Sequence, residues 1–236
     1  MKKYLINYAD KTYFNSQKLN TKTALEIGGF DEVISYNRAS LGDDFLSKSK
    51  HILDQPRGVG YWLWKPYLIL KTLEKLEDGD LLFYCDAGIE FLKSIDEIIP
   101  FMDETEEKLL LFELEDFHPN KRWTKRDCFI NLGLDAEPYI SQTQLLASYV
   151  LMRKNHFVIS FMKQWLLYGQ DYRNITDSPN ELGLPNYPEF VDHRHDQSIL
   201  SLLGRKYGIR NIPDIGQYGE GRWITSQIIN HHRIRM

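Results

Sequence analysis

The sequence predicts one α/β domain spanning residues 1–236, with a mostly parallel central sheet flanked by helices. Three observations lead to that class. Short apolar runs alternate along the chain with stretches of helical periodicity. No internal repeat or linker-like tract divides it. At 236 residues, 42% hydrophobic and 26% charged, it has the size and composition of a single globular domain with its own core.

Taken in order, Lys3 to Tyr8 reads as a strand ending at Tyr8-Ala9-Asp10. A polar region follows, punctuated by Gly28-Gly29 and Gly42-Asp43-Asp44 and ending at Arg57-Gly58-Val59-Gly60, to which the pattern assigns no regular element. Pro66 suits the first turn of a helix, and Ile69, Leu73 and Leu76 repeat at helical spacing up to Asp78-Gly79. Asp80 to Tyr84 is a brief apolar run, hence a buried strand, stopped by Asp86-Ala87-Gly88. Ser94 and Glu97 form a capping-box pattern for a short helix with Ile95, Ile98 and Ile99 on its apolar face, before Pro100. Leu109 to Leu114 and Tyr149 to Met152 read as further buried strands, separated by the polar excursion from Glu115 to Gln144. Asn155 can cap a helix that aligns Phe157, Phe161, Trp165 and Tyr168 and stops at Gly169. Asp171 to Pro188, with Pro179, Gly183 and Pro185, reads as an irregular loop, and Asp196 to Leu203 as a helix closed by Gly204.

Several function classes drop out at this stage. A formal net charge of -4 removes the general electrostatic case for a nucleic-acid partner. Cys85 and Cys128 are too few for a disulfide framework and lack the spacing of a zinc site, so both are read as reduced thiols. The opening Met1-Lys2-Lys3 is not followed by an apolar segment of signal-peptide length, and no window approaches a membrane span of about 20 apolar residues. The expected location is cytoplasmic.

Residues just beyond strand ends are the first place to look for chemistry, because open α/β sheets bind ligands there. Asp10 and Asp86 both qualify. Asp86 precedes the small pair Ala87-Gly88, which lets an anionic ligand or hydrated metal approach the backbone; the alternative is a carboxylate that only caps a turn. Arg57 through Pro66 sets two cations, Arg57 and Lys65, and the rings of Tyr61, Trp62 and Trp64 around a flexible turn, suited to a phosphate and a flat ring; the alternative is packing by the rings and a solvated Lys65. The run lacks the Gly-Lys-Ser/Thr ending of a Walker loop. His193-Arg194-His195-Asp196-Gln197-Ser198 is the densest polar cluster, with Asp196 as a helix N-cap and exposed histidines as its plain reading. A zinc hydrolase built on His193, His195 and Asp196 is a third possibility. Near the end, Arg222, Trp223, His231, His232, Arg233 and Arg235 form a basic segment whose default is a solvated tail. No Gly-x-Ser-x-Gly nucleophile elbow occurs.

In order, Tyr8-Ala9-Asp10, Gly60-Tyr61-Trp62-Leu63-Trp64-Lys65-Pro66, Phe83-Tyr84-Cys85-Asp86-Ala87-Gly88 and His195-Asp196-Gln197-Ser198 resemble nucleotide-sugar glycosyltransferases of the GT-A fold, over about residues 3 to 205. The resemblance is to bacterial and viral enzymes that build capsule, lipopolysaccharide or glycoprotein glycans. It implies a Rossmann-related domain that moves a sugar from a nucleoside-diphosphate donor to a glycan or lipid-linked acceptor, with peripheral contact at a membrane in the lipid-linked case. It also implies that Tyr8 and Asp10 hold the nucleoside, that Arg57, Lys65 and Asp86 serve the diphosphate, and that Asp196, with His195 beside it, is catalytic. A divalent cation, Mn²⁺ or Mg²⁺, would sit at Asp86 with His231 or His232. The chain departs from the usual Asp-x-Asp motif, because Tyr84 and Gly88 occupy the positions two residues before and after Asp86. Trp123 and Tyr139 are candidate sugar-packing rings at the acceptor rim. The alternative from another class is a noncatalytic carbohydrate-binding or assembly protein that keeps the fold.

Overall fold

A computed structural model describes residues 1–114, 118–216 and 227–232. Six strands form the central sheet: β1 (Lys3–Tyr8), β2 (Glu32–Tyr36), β3 (Leu81–Cys85), β5 (Leu109–Glu113), β6 (Tyr149–Arg153) and β7 (Asn211–Pro213), in the order β2-β1-β3-β6-β5-β7. β1 pairs in parallel with β2 and β3, and β5 with β7; β6 lies antiparallel between β3 and β5. Five strands therefore share one direction. A second, two-stranded antiparallel sheet joins β4 (Ile89–Phe91) to β8 (Ile229–His231).

Alternation along the strands divides the core in two. Leu5, Phe83, Leu110, Phe112 and Leu151 point to one face, where they meet Phe91, Ile95, Met102 and Ile229. Ile6, Tyr84, Leu111, Val150 and Met152 point to the other, against helices α2 (Trp64–Leu73), α3 (His156–Gly169) and α4 (His195–Lys206). β3 is buried at every residue, which is why its sequence is a continuous apolar run rather than an alternating one.

The expected strands at β1, β3, β5 and β6 form within a residue or two of their expected bounds, as does α3, whose cap Asn155 accepts from the Val158 N–H at 2.7 Å. The polar region after β1 is more ordered than its pattern suggested: it holds α1 (Phe14–Thr23) and the edge strand β2, half-exposed and therefore without a hydrophobic signature. The expected helix at Ser94 is a 3-10 turn, Ile95–Glu97, followed by a helical turn, Ile99–Asp103, that contains Pro100 in its first turn. The 171–188 loop includes a helical turn, Tyr172–Ile175. The reading of the C-terminal segment as a solvated tail is overturned for residues 228–231, since Ile228 and Ile229 are fully buried and β8 is zipped to β4. Arg222, Trp223, Arg233 and Arg235 lie outside the described residues.

This topology brings several chain segments to one rim of the sheet. β1 and β3 are parallel neighbours, so the last residue of β1, Tyr8, with Ala9 and Asp10 after it, ends beside Asp86, which follows β3. The reversed β6 starts where β3 ends, and the Asp86 N–H donates to Ser148 O at 2.8 Å.

Candidate active site

Two adjoining cavities open at this rim. The larger, about 870 Å³, is lined among others by Tyr8, Asp10, Tyr13, Trp64, Asp86 and His231. Tyr8 stacks on Trp64 with ring centroids 3.9 Å apart and planes 20° from parallel. Its hydroxyl is buried without a hydrogen-bond partner, and burial raises its pKa. Asp10 caps the turn Lys11–Tyr13 by accepting the Thr12 N–H at 2.9 Å. His231 reaches the same wall because β8 pairs Ile89 with His231. The space it occupies depends on Gly216, where a Cβ would stand 2.6 Å from the His231 ring.

The smaller cavity, about 260 Å³, shares Trp62, Asp86 and Ser148 with the first and is otherwise lined by Arg57, Lys65, Ala147 and residues 192–197. At the junction lies a buried lysine. Lys65, in the first turn of α2, is 2% exposed, with Nζ 2.7 Å from Asp196 Oδ2, 2.9 Å from Ala147 O and 3.6 Å from Asp86 Oδ1. Burial alone would lower its pKa, but Asp196 and Asp86 outweigh that and hold the ammonium above its ordinary value. Burial of Asp196 is only partly offset by Lys65, so its carboxyl is pushed up to about 6. The Tyr84 hydroxyl donates to Asp86 Oδ1 at 2.6 Å. The residue that replaces the first acid of an Asp-x-Asp pattern thus orients the remaining one, and burial together with Asp86 keeps that phenol protonated.

The segment leading into α2 is unusual. Gly58, Val59, Gly60, Tyr61 and Trp62 all have positive φ, between 52° and 96°, and form a left-handed turn. The Tyr61 and Trp62 N–H groups donate to Arg57 O and Gly58 O, the i to i−4 pattern of a helix of the wrong hand for L-residues. Three of the five are not glycine, at a cost of about 1–2 kcal/mol each. Gly60 is forced, because a Cβ there would stand 2.6 Å from Leu53 Cα. The turn delivers Tyr61 and Trp62 to the His195 ring, at centroid separations of 4.8 and 5.6 Å, and His195 itself has φ of 50°.

The polar cluster at 193–198 is not an exposed loop. His193 and His195 are 2% and 1% exposed. Both His193 nitrogens are engaged, Nδ1 by the Lys125 N–H at 3.2 Å and Nε2 with Asn174 O at 2.8 Å, and burial drives its pKa well down. A zinc hydrolase on His193, His195 and Asp196 is therefore ruled out: His193 has no nitrogen to give, and Asp196 is committed to Lys65. Nor does Asp196 cap its helix, which starts one residue earlier after Arg194, without a side-chain cap. Arg57 sits apart from Tyr8 and Asp10, at the small cavity, where Asp177 and Asp192 grip it at 3.1 and 2.6 Å. His232 is half-buried and lies outside the wall of either cavity. The Trp123 ring is covered by the Arg194 guanidinium at 4.1 Å and stacks with His118, and Tyr139 packs on the core. Burial raises the pKa of both Cys85 and Cys128, as expected for inert thiols. Sequence reasoning missed Tyr84 as a partner of Asp86, the Ala147 carbonyl, and the Asp177–Asp192 clamp. Of these, only the i, i+2 spacing of Tyr84 and Asp86 could have been read locally.

No protein-family model and no curated protein matches the chain. Solved structures do. Mouse xyloside xylosyltransferase 1, in its apo form, superposes over 98% of this chain and 97% of its own with a TM-score of 0.51 at 11% identity. The chain has a GT-A glycosyltransferase fold. The galactosyltransferase LgtC, solved with donor and acceptor sugar analogues, matches over 98% of this chain and 87% of its own, with a TM-score of 0.52 at 13% identity. The bifunctional glycosyltransferase WbbM matches 99% of this chain with 46% of its own length, TM-score 0.56, identity 6%. Among the described residues, no helix is long and apolar enough to cross a membrane, and no cluster of three or more His, Cys, Asp or Glu side chains could by itself hold a metal ion.

Proposed function

We propose that the chain transfers a sugar from a nucleoside-diphosphate donor to a glycan or lipid-linked acceptor. The observation that carries this is Asp86, which stands at the carboxyl end of the central strand where the two cavities meet, held by Tyr84 and facing Lys65. The larger cavity has the features of a nucleoside site: a stacked Tyr8–Trp64 pair with an unsatisfied buried hydroxyl, and Asp10 at its edge. The diphosphate then reaches Asp86, and the sugar faces the smaller cavity.

Charge decides what else the site needs. Lys65 is balanced against Asp86 and Asp196, leaving this trio with one net negative charge at neutral pH, unfavourable for a diphosphate. Asp86 and His231, which line the same cleft, are the residues that would hold a divalent cation beside the diphosphate. When bound, such an ion would supply neutralising charge for the leaving diphosphate. Lys65 supports the same charge from below, and Asp196 holds Lys65 in place and supplies a carboxylate beside the small cavity. The test is release of nucleoside diphosphate from a panel of uridine, guanosine and thymidine diphospho-sugars, with oligosaccharide and lipid-linked acceptors and Mn²⁺. Turnover of one donor supports the reading; donor binding without turnover on any acceptor favours a noncatalytic carbohydrate-binding protein instead.

A further inference from the structure

We infer, on the nucleotide-sugar reading above, that Asp177 is a positioning residue: it holds the left-handed turn 58–62 and thereby sets the Trp62 ring that both cavities share. The turn needs a hold from outside. Val59, Tyr61 and Trp62 lie at positive φ without the freedom of glycine. The bonds inside the turn, Tyr61 N–H to Arg57 O at 2.7 Å and Trp62 N–H to Gly58 O at 3.2 Å, are the ones a right-handed helix would make as well, so they do not choose its hand. Backbone strain of this kind persists where the surroundings over-determine it.

Asp177 meets the turn at both ends. At its start, Arg57 Nη1 donates to the two Asp177 oxygens at 3.2 and 3.1 Å, while Nη2 donates to Asp192 at 2.6 Å. Single exposed ion pairs contribute little, but one guanidinium held by two carboxylates is a network with fixed geometry. At its end, Tyr61 and Trp62 pack on the His195 ring, whose Nε2 is 3.8 Å from Asp177 Oδ1, and burial and then the Asp177 charge raise the Tyr61 pKa. Asp177 is itself anchored, because Ile175 is fully buried and the Ser178 carbonyl accepts from the buried Lys125 at 2.7 Å. It lines neither cavity, so it acts through the turn. What the turn carries matters on both sides: Val59 and Trp62 wall the larger cavity, Arg57 and Trp62 the smaller, and the Lys65 N–H donates to Trp62 O at 2.9 Å where α2 begins.

Asp177→Ala removes the grip at a side chain that is 39% exposed, so a cooperative melting curve is expected to survive. Hydrogen exchange of the whole protein, read by NMR, reports the turn directly: the Tyr61 and Trp62 amides should exchange about tenfold faster or more, while those of β1 and β3 keep wild-type rates. Unchanged exchange at Tyr61 and Trp62 overturns the hold. Calorimetry with uridine, guanosine and thymidine diphosphates and Mn²⁺ reports the consequence. Asp177→Ala and Trp62→Ala should each bind the wild-type protein's nucleotide about fivefold more weakly or worse, and the double variant no more weakly than Trp62→Ala alone. Losses that multiply in the double variant, or wild-type affinity in Asp177→Ala, overturn action through Trp62 and leave the transferase reading intact. Asp177→Glu, which restores the charge one methylene further out, should recover part of both effects. Asp177→Asn, isosteric and uncharged, is read in the same way if the alanine variant does not fold. Failure of the wild-type protein to bind any of the three nucleotides overturns the transferase reading, and the exchange rates then decide alone whether Asp177 holds the turn.

Discussion

Replacing Lys65 by methionine tests the buried ion pair at the centre of the site. The substitution keeps the length of the side chain and its packing between Trp64 and Tyr84 but removes the ammonium that lies 2.7 Å from Asp196. Both groups are almost wholly buried, so the carboxylate left behind has no water to turn to. Losing one partner of such a pair costs about 3–5 kcal/mol. At about 2–4 °C per kcal/mol for a chain of this size, the melting temperature at pH 8 should fall by about 6–20 °C. The loss depends on pH in a determined direction. The Asp196 pKa in the folded protein, about 6, is above that of an unfolded aspartate, so protonation favours folding and the ionised form is the costly one. Removing Lys65 raises that pKa further. The penalty is therefore complete only above the variant's raised Asp196 pKa, shrinks as pH falls from there towards about 6, and is smallest below that, where Asp196 is protonated with or without Lys65. Thermal unfolding of wild type and Lys65→Met at pH 8 and pH 5 is the assay, with Lys65→Met/Asp196→Asn as the neutralised double variant expected to recover much of the pH 8 loss. A loss under about 1 kcal/mol at pH 8, or one equal at both pH values, would refute a buried, ionised pair.

Three further outcomes follow from the same geometry. Asp86→Asn should cut turnover by about 10²-fold or more, the scale of a lost electrostatic contact to the transition state, with a melting temperature close to wild type because the residue is partly exposed and Asn still accepts from Tyr84; an unfolded variant whose residual folded fraction is active would make Asp86 a turn residue only. Asp196→Asn, whose amide oxygen can still accept from Lys65, should keep most of the stability yet lose about 10²-fold in turnover, and near-normal turnover would remove Asp196 from the chemistry. Gly60→Ala should destabilise by more than the about 1–2 kcal/mol of left-handed strain alone, because the new Cβ meets Leu53 Cα at 2.6 Å; urea unfolding within 0.5 kcal/mol of wild type, roughly the scatter of neutral surface changes, would show that the turn adapts.

The sequence carried the central strands because β3, β5 and β6 are buried on both faces and so are written in continuous apolar residues. It did not carry β2, an edge strand with a half-exposed pattern, or β4, β7 and β8, which are three residues each and too short for any periodicity. At the site, strand-end logic reached Asp10 and Asp86 and residue chemistry reached Lys65 and Asp196 as separate candidates. Their meeting at one ammonium was illegible, because Lys65 and Asp196 are 131 positions apart and come together through α2 and α4 both packing on α3. The N-cap reading of Asp196 failed for the same reason. A local rule assigned the carboxylate to the nearest amides, whereas a buried cation is the stronger partner. His193 and His195 looked exposed because the run around them is polar, but their burial comes from the 171–178 segment, whose carbonyls at Asn174 and Ile175 take their ring N–H groups.

The proposed function requires the larger cavity to bind a nucleoside diphosphate whose phosphates reach Asp86. Calorimetric titration of the wild-type protein and of Asp86→Asn with uridine, guanosine and thymidine diphosphates, each with and without Mn²⁺, tests it most directly. One nucleotide should bind the wild-type protein, more tightly with Mn²⁺, and Asp86→Asn should lose the Mn²⁺-dependent part of the affinity. Absence of binding to all three, or binding that Asp86→Asn leaves unchanged, would contradict it.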